Sequence, residues 1–203
     1  MPSLNEIKSV IRKIISIDEL RENICFFGGA TPYLICQEES GRDHSDIDIL
    51  VNEEYMEEIR DLLKLYNLYL PEKDSLNLDL GEDYGVKTFI NGVYVEFEPM
   101  KNENNCLIRK SFSPRRNLVG IEEMSYEDIS DVIVPIDFEG KKIYVETLEL
   151  IRADKSTYQR EKDKADIEFI DKHGIDREKY QRVKKGLEES KQTLSSYESS
   201  IVK

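Results

Sequence analysis

One short segment constrains this chain more than any other. Residues 44–51 read HSDIDILV, in which polar and apolar side chains alternate before the segment becomes fully apolar. Such alternation is typical of a β-strand with one face in the core. Since residues i and i+2 of a strand point to the same face, Asp46 and Asp48 would project side by side, and the intervening isoleucine would face the core.

Two adjacent carboxylates repel each other, so this pair requires a compensating positive charge. Mg²⁺, or Mn²⁺ in its place, suits the position because it binds carboxylate oxygens and keeps coordination sites for substrate phosphates. Glu96 and Glu98 lie on a predicted strand, 93–98, that follows the two-residue hairpin signal Asn91-Gly92. A third carboxylate from this strand would complete a two-metal site for phosphoryl chemistry, with Glu96 preferred and Glu98 in reserve.

A pair of glycines supplies the third pattern. Gly28-Gly29 separates a predicted strand, 23–27, from a predicted helix, 30–37. Glycine at such a turn lets a phosphate approach the backbone closely, and the N-terminus of the following helix favours an anion. The turn is therefore a candidate phosphate site.

Each pattern also has an ordinary explanation. A DxD motif in an acidic chain is usually a solvated strand face, a glycine pair is usually a turn, and Glu96 with Glu98 would equally suit an exposed edge strand. The occurrence of all three in this order, each at the expected place on a strand or turn, is much more specific than any one of them.

Charge and cysteine content exclude several classes of protein. With 29 basic and 42 acidic side chains, the net charge of −13 excludes a generic nucleic-acid-coating protein. The C-terminal segment 147–187 differs, since it holds 11 basic and 9 acidic residues. No apolar run approaches the ~20 residues that span a bilayer, so we expect no membrane partner. Three cysteines without a CxxC pair indicate a reducing cytoplasm rather than a disulfide or zinc framework.

The combined pattern resembles a known superfamily. Phe27-Gly28-Gly29, then Asp46-x-Asp48, then a later acidic strand, is similar to the polymerase-β-type nucleotidyltransferases. The segment 42–49, RDHSDIDI, is close to the form in small bacterial members. These members include antibiotic nucleotidyltransferases of the lincosamide type and the toxins of abortive-infection systems.

A second segment strengthens the resemblance. The residues from Thr147 to His173 predict one continuous helix, and 155–166, KSTYQREKDKAD, is similar to a charged helical motif of the same small members. On a helix, four polar residues would share one face and a cation–acid pair would lie beside it; these are Lys155, Gln159, Lys162 and Asp166, with Arg160 and Asp163. An ordinary exposed helix with charge pairs would show the same spacing.

The resemblance implies an α/β (α+β) fold: a small mixed β-sheet core flanked by helices over 1–146, and a C-terminal helical region, 147–203, that completes the nucleotide site. It implies metal-dependent transfer of a nucleoside monophosphate from an NTP to a hydroxyl. Asp46, Asp48 and Glu96 would be the metal ligands and catalytic residues. The expected nucleotide-binding residues are Gly28, Gly29, Arg42, Ser45, Lys155, Arg160, Lys162 and Asp163.

The acceptor and the partners stay open at this stage. A small molecule such as an antibiotic needs only a pocket. An RNA end needs a basic approach surface. One segment could supply it, or could be an ordinary solvated loop; its cations are Lys101, Arg109, Lys110, Arg115 and Arg116. A toxin with a cognate antitoxin and a non-catalytic nucleotide-binding module are the alternatives. The sequence leaves the NTP and the oligomeric state undetermined, and the polar tail from Glu188 is expected to fray.

Overall fold

The computed structural model of the chain describes residues 2–38, 44–77, 82–113, 118–158 and 160–196. The helices are α1 (Leu4–Ile15), α2 (Asp18–Arg21), α3 (Thr31–Cys36), α4 (Met56–Leu65), α5 (Leu148–Tyr158), α6 (Glu161–His173) and α7 (Arg177–Glu188). The strands are β1 (Ile24–Phe27), β2 (Asp46–Asn52), β3 (Asp74–Asn77), β4 (Glu82–Ile90), β5 (Val93–Glu103), β6 (Cys106–Ser113), β7 (Leu118–Ser125), β8 (Ile133–Phe138), β9 (Lys141–Glu146) and β10 (Lys191–Ser196).

All ten of these strands join one mixed sheet. Its order is β10-β7-β6-β5-β2-β1-β9-β8, and β4 pairs with both β3 and β5. The pairs β2–β5 and β1–β9 are parallel, whereas the other pairs are antiparallel. The predicted mixed α/β architecture is therefore confirmed.

The first helix has the features that its sequence predicts. The Ser3 hydroxyl accepts a hydrogen bond from the Glu6 N–H, and the Glu6 carboxylate accepts one from the Ser3 N–H, which forms a complete capping box. Its apolar residues recur at helical spacing and are all buried; they are Leu4, Ile7, Val10, Ile11, Ile14 and Ile15. Together with α4 they cover one face of the central strands.

The central strands expose their other face to the candidate site. Ile47, Ile49, Val95 and Phe97 belong to the core beneath α1 and α4. Because side chains alternate along a strand, the acidic residues between them point to the opposite side. We call this side the carboxylate face; on β2 and β5 it carries Asp46, Asp48, Tyr94, Glu96 and Glu98.

The C-terminal region differs from the sequence prediction in two places. The predicted continuous helix is wrong: α5 ends at Tyr158, and Arg160, with extended backbone angles, is the N-cap of α6. The Arg160 N–H donates to the Asp163 carboxylate over 3.0 Å. This hydrogen bond caps the N-terminus of α6, so the two residues lie at the start of a new helix and not within a continuous one.

The expected fraying of the tail is also wrong for its first residues, because 191–196 form β10 against β7. Pairing at a sheet edge satisfies backbone groups and does not require an apolar pattern. A smaller core, containing Leu107, Met124, Leu150 and Val183, joins α5 and α7 to β6 and β7. The proposed boundary between 146 and 147 stays a prediction. In the parts of the chain that the structure describes, no helix combines the length and apolar character needed to cross a bilayer.

Candidate active site

A cavity of about 450 Å³ opens on the carboxylate face. One wall consists of the β1–α3 turn and the start of β2, with Gly28, Gly29 and Ser45. The helices α5 and α6 form a second wall, and β6, β7 and β10 form a third. Most of the residues predicted to bind nucleotide therefore meet at one place, although Arg42 lies outside the described residues.

Three carboxylates converge at the edge of this cavity. Ligand oxygens of Asp46, Asp48 and Glu96 all lie within 4.8 Å of one another. The parallel register explains this, since Asp48 is the direct neighbour of Glu96 across β2 and β5. The Ser45 hydroxyl donates to Asp46 over 2.7 Å. Glu98 lies next to Leu50, one same-face position further along, and lines the cavity.

Negative charge is in excess around the three converging carboxylates. Burial raises the pKa of Asp48 well above its ordinary value, and the charges of Asp46, Glu96 and Glu98 raise it further. Burial, together with Glu96, raises the pKa of Glu98 to about 7. Lys87 on β4 opposes these charges through an ion pair with Glu96, and Arg109 also acts on Glu98. A hard divalent cation would relieve this repulsion, and the all-oxygen donor set fits Mg²⁺ or Mn²⁺.

Gly28 lies in close contact with the carboxylates. Its φ of +76° is in the left-handed region, and a Cβ atom at this position would lie 2.3 Å from the Asp48 Oδ2. The backbone N–H of Gly28 donates to the carboxylate of Glu146, whose pKa burial raises to about 7. The glycine is therefore required both by the turn and by the space that Asp48 occupies.

The helical wall differs from the simple cationic face that the sequence suggested. Lys155 is buried and lies 2.8 Å from Asp166 and 3.6 Å from Asp163, both of which are fully buried. Its charge is thus already balanced, and Tyr33 donates to Asp166 over 3.0 Å from α3. Gln159, assigned to the same face, lies outside the described residues.

The exposed cations of this wall come from the start of α6. The Arg160 side chain is 55% exposed although its Nε contacts Asp163 over 2.6 Å. Lys162 also lines the cavity and is exposed. Burial opposes the ionisation of Asp163, but the hydrogen bonds from Arg160 lower its pKa below the ordinary value. Asp163 therefore orients Arg160 and Lys155 within the protein.

A buried charge cluster in the same cavity escaped the sequence analysis. Arg109 donates to Glu122 over 3.0 Å and to Glu146 over 2.9 Å. Gln192 of β10 donates to the same Glu122 over 3.0 Å. Asp154 of α5 completes the cluster, and burial raises its pKa. The sequence left Arg109 either on a basic approach surface or in a solvated loop, but the structure encloses it between two glutamates.

The two other cations of that surface that the structure describes, Lys101 and Lys110, are paired as well. Lys101 lies 3.0 Å from Glu103, and Lys110 lies 3.2 Å from Glu53. Arg115 and Arg116 lie outside the described residues. Within the described ranges, the segment 99–113 therefore presents balanced charge pairs.

Comparison with known proteins places this geometry in a fold family. No protein-family model and no curated protein sequence matches the chain. Among solved structures, it is similar to lincosamide antibiotic adenylyltransferase LnuA in its lincomycin-bound form, with a TM-score of 0.58, 16% identity, and coverage of 84% of this chain and 98% of that one. It is also similar to ANT(2'')-Ia in complex with adenylyl-2''-tobramycin, with a TM-score of 0.58, 16% identity, and coverage of 90% and 97%.

The chain has a nucleotidyltransferase fold. The match spans nearly the full length of both solved proteins, so it covers the whole fold rather than an isolated motif. It confirms the fold that the glycine turn, the DxD strand and the later acidic strand led us to expect. At 16% identity the similarity establishes the fold, and the activity has to be argued from the site itself.

Proposed function

We propose that this protein is a metal-dependent nucleotidyltransferase that moves a nucleoside monophosphate from an NTP to an acceptor hydroxyl. The observation that carries the proposal is the convergence of Asp46, Asp48 and Glu96 within 4.8 Å, next to the Gly28 turn. The nucleotidyltransferase fold supports the same reaction class. An intact set of three carboxylates favours catalysis over a non-catalytic nucleotide-binding module.

The metal would be Mg²⁺ or Mn²⁺, and Asp46, Asp48 and Glu96 would hold it. When bound, a divalent cation neutralises phosphate charge and aligns the reacting oxygens. The repulsion among these carboxylates, visible in the raised pKa of Asp48, favours cation uptake.

The protein's own groups would position the triphosphate. Gly28, Gly29 and Ser45 line the cavity, so the backbone of this turn and the Ser45 side chain would lie along the phosphate path. Arg160 and Lys162 are exposed at the start of α6 and would contact the phosphates. Lys155, held by two buried aspartates, would fix the position of this helix start.

Glu96 would also serve as the general base. The acceptor oxygen attacks the α-phosphorus, its proton passes to Glu96, and pyrophosphate leaves. Lys87 holds the Glu96 carboxylate in place through their ion pair. Most of the rate enhancement would come from positioning and from electrostatic stabilisation.

A small-molecule acceptor is better supported than an RNA end. One structural relative is bound to lincomycin and the other to an adenylylated tobramycin. Lys101, Arg109 and Lys110 are already paired with carboxylates, which weakens the case for a basic RNA surface.

Three free cysteines support the cytoplasm as the compartment.

The test is label transfer. The purified protein is incubated with each labelled NTP, Mg²⁺, a panel of hydroxylated antibiotics and total RNA. We expect Mg²⁺-dependent labelling of a small molecule, abolished in Asp46→Asn and retained in the matched control Asp61→Asn, whose exposed side chain pairs with Lys64. Activity retained by Asp46→Asn would overturn the assignment. Growth arrest on expression that is lost with Asp48→Ala would instead identify a toxin, for which a cognate antitoxin is the expected partner.

A further inference from the structure

An aromatic pair lies beside the three carboxylates. Phe89 of β4 and Tyr94 of β5 are direct cross-strand neighbours, and their ring centroids are 5.1 Å apart with 50° between the ring planes. Phe89 is 47% exposed, so part of its side chain is accessible to a ligand. On its other side Tyr94 is the direct neighbour of Asp46.

The sheet register puts this pair on the carboxylate face. One row across the strands runs Asp46, Tyr94, Phe89, and the next row runs Asp48, Glu96, Lys87. Neighbouring strands lie about 4.8 Å apart, so the backbone of Phe89 is only about 10 Å from that of Asp46. The aromatic pair is therefore a direct lateral extension of the proposed catalytic centre.

A cation accompanies the two rings. Lys73 Nζ lies 5.5 Å from the Tyr94 centroid and 5.8 Å from the Phe89 centroid. Such a cation repels a polyamine. It attracts a ring with partial negative charge, and it also attracts a phosphate that adjoins the ring. Proteins also stack nucleobases on aromatic side chains that lie beside a cation such as lysine.

The aromatic pair and the nucleotide cavity extend in different directions from the carboxylates. Of the described residues on the carboxylate face, Asp46, Asp48 and Glu98 line the cavity, which continues toward β6, β7 and β10. Glu96 and the aromatic pair lie toward β4 instead. Since phosphoryl transfer keeps the attacking and leaving oxygens roughly in line, the acceptor has to arrive from the side opposite to the departing pyrophosphate.

We propose that Phe89 and Tyr94 form the acceptor platform, on which a flat heteroaromatic ring, as in a nucleoside, stacks while its hydroxyl reaches Glu96. This inference rests on the proposed function and names its acceptor class. A bond forms between the acceptor oxygen and the α-phosphorus, the bond to pyrophosphate breaks, and the proton goes to Glu96. The same ring chemistry is presented by a free nucleoside and by the terminal nucleoside of an RNA.

The test measures ring binding without any turnover. The probe is 2-aminopurine riboside, whose fluorescence is quenched when its base stacks on an aromatic side chain. We expect the wild type to quench it, and Phe89→Ala to bind it roughly tenfold or more weakly, as loss of one stacking contact predicts. The matched control is Tyr66→Ala, which removes an equally exposed aromatic side chain just after α4.

Three results would overturn the platform: no quenching at millimolar probe, equal affinity in Phe89→Ala, or displacement of the probe by ATP with Mg²⁺. A short RNA that ends in 2-aminopurine forms the second arm. Tighter binding of the RNA, with the same dependence on Phe89, supports the platform and identifies an RNA end as the source; equal affinity supports it with a free small molecule.

Calorimetry with each of the four NTPs and Mg²⁺ separates this inference from the proposed function. Phe89→Ala should bind the preferred NTP as the wild type does. A wild type that binds none of the four NTPs would overturn the proposed function while the probe titration still reports on the platform.

Discussion

Gly28 and Asp48 are in direct contact across the β1–β2 pair: a Cβ atom at Gly28 would lie 2.3 Å from the Asp48 Oδ2. The same glycine has a φ of +76°, which other residues adopt only with strain. The turn at Gly28 and the Asp48 carboxylate therefore fit together only when position 28 has no side chain.

Replacing Gly28 tests this contact. We expect Gly28→Ala to displace the Asp48 carboxylate and to weaken Mg²⁺-dependent ATP binding tenfold or more, roughly what loss of a supporting contact at a metal site costs. Gly140→Ala is the matched control, because Gly140 has a φ of +80° with nothing within 4 Å. Both variants should lose about 1–2 kcal/mol of stability from backbone strain. Unchanged ATP affinity in Gly28→Ala would contradict the predicted displacement.

Lys87 forms an ion pair with Glu96, one of the three converging carboxylates. In Lys87→Met, Glu96 loses its partner, so we expect lower stability without metal and a larger rise in melting temperature on adding Mg²⁺ than in the wild type. Lys64→Met removes an exposed lysine that pairs with Asp61 and should change stability by about 0.5 kcal/mol or less. Equal Mg²⁺ stabilisation of Lys87→Met and the wild type would argue against metal binding at this site.

Arg109 tests the buried charge cluster. Because it lies between Glu122 and Glu146, Arg109→Met should cost roughly 3–5 kcal/mol in the free energy of unfolding, measured with urea. The triple variant that also carries Glu122→Gln and Glu146→Gln should recover most of this loss, since no uncompensated charge is left. Arg12→Met removes an exposed pair with Glu139 and should change the free energy of unfolding far less than Arg109→Met does. A triple variant as unstable as the single variant would show that packing, not charge, explains the loss.

The pH dependence of stability tests Glu146. Its pKa is about 7 in the folded protein against 4.5 ordinarily, so between these values the folded state binds more protons than the unfolded state. The contribution of Glu146 to stability therefore falls as the pH rises from 4.5 to about 7, by at most about 3 kcal/mol. The wild type should lose stability relative to Glu146→Gln over this window, as measured by urea unfolding at each pH. A constant difference between the two proteins would contradict the raised pKa.

The catalytic half of the fold could be predicted because its signals are local. Alternation over 44–51 indicates which face carries Asp46 and Asp48, and the Asn91-Gly92 turn fixes where the strand with Glu96 begins. Both turn residues have positive φ values, as such a hairpin requires. The parallel pairing of β2 with β5 then brings the three carboxylates together.

The rest depends on contacts between distant residues. Arg109 and Glu146 are 37 positions apart, and no periodicity reveals that they meet. The strand β10 is polar, so its pairing with β7 leaves no apolar pattern to read. Arg160 and Asp163 have the spacing of a surface helix pair, but the Asp163 carboxylate also accepts a hydrogen bond from the Arg160 backbone N–H, which makes Arg160 the N-cap of α6.

The central claim is that the chain binds an NTP through a metal held by the carboxylates. Calorimetry tests it most directly: an NTP is titrated with Mg²⁺ present, and again with the metal removed by a chelator. We expect the wild type to bind at least one NTP with Mg²⁺, to bind it much more weakly with chelator, and Asp48→Asn to show the same weakening with Mg²⁺ present. NTP binding that is equally tight with and without metal, and unchanged in Asp48→Asn, would contradict it.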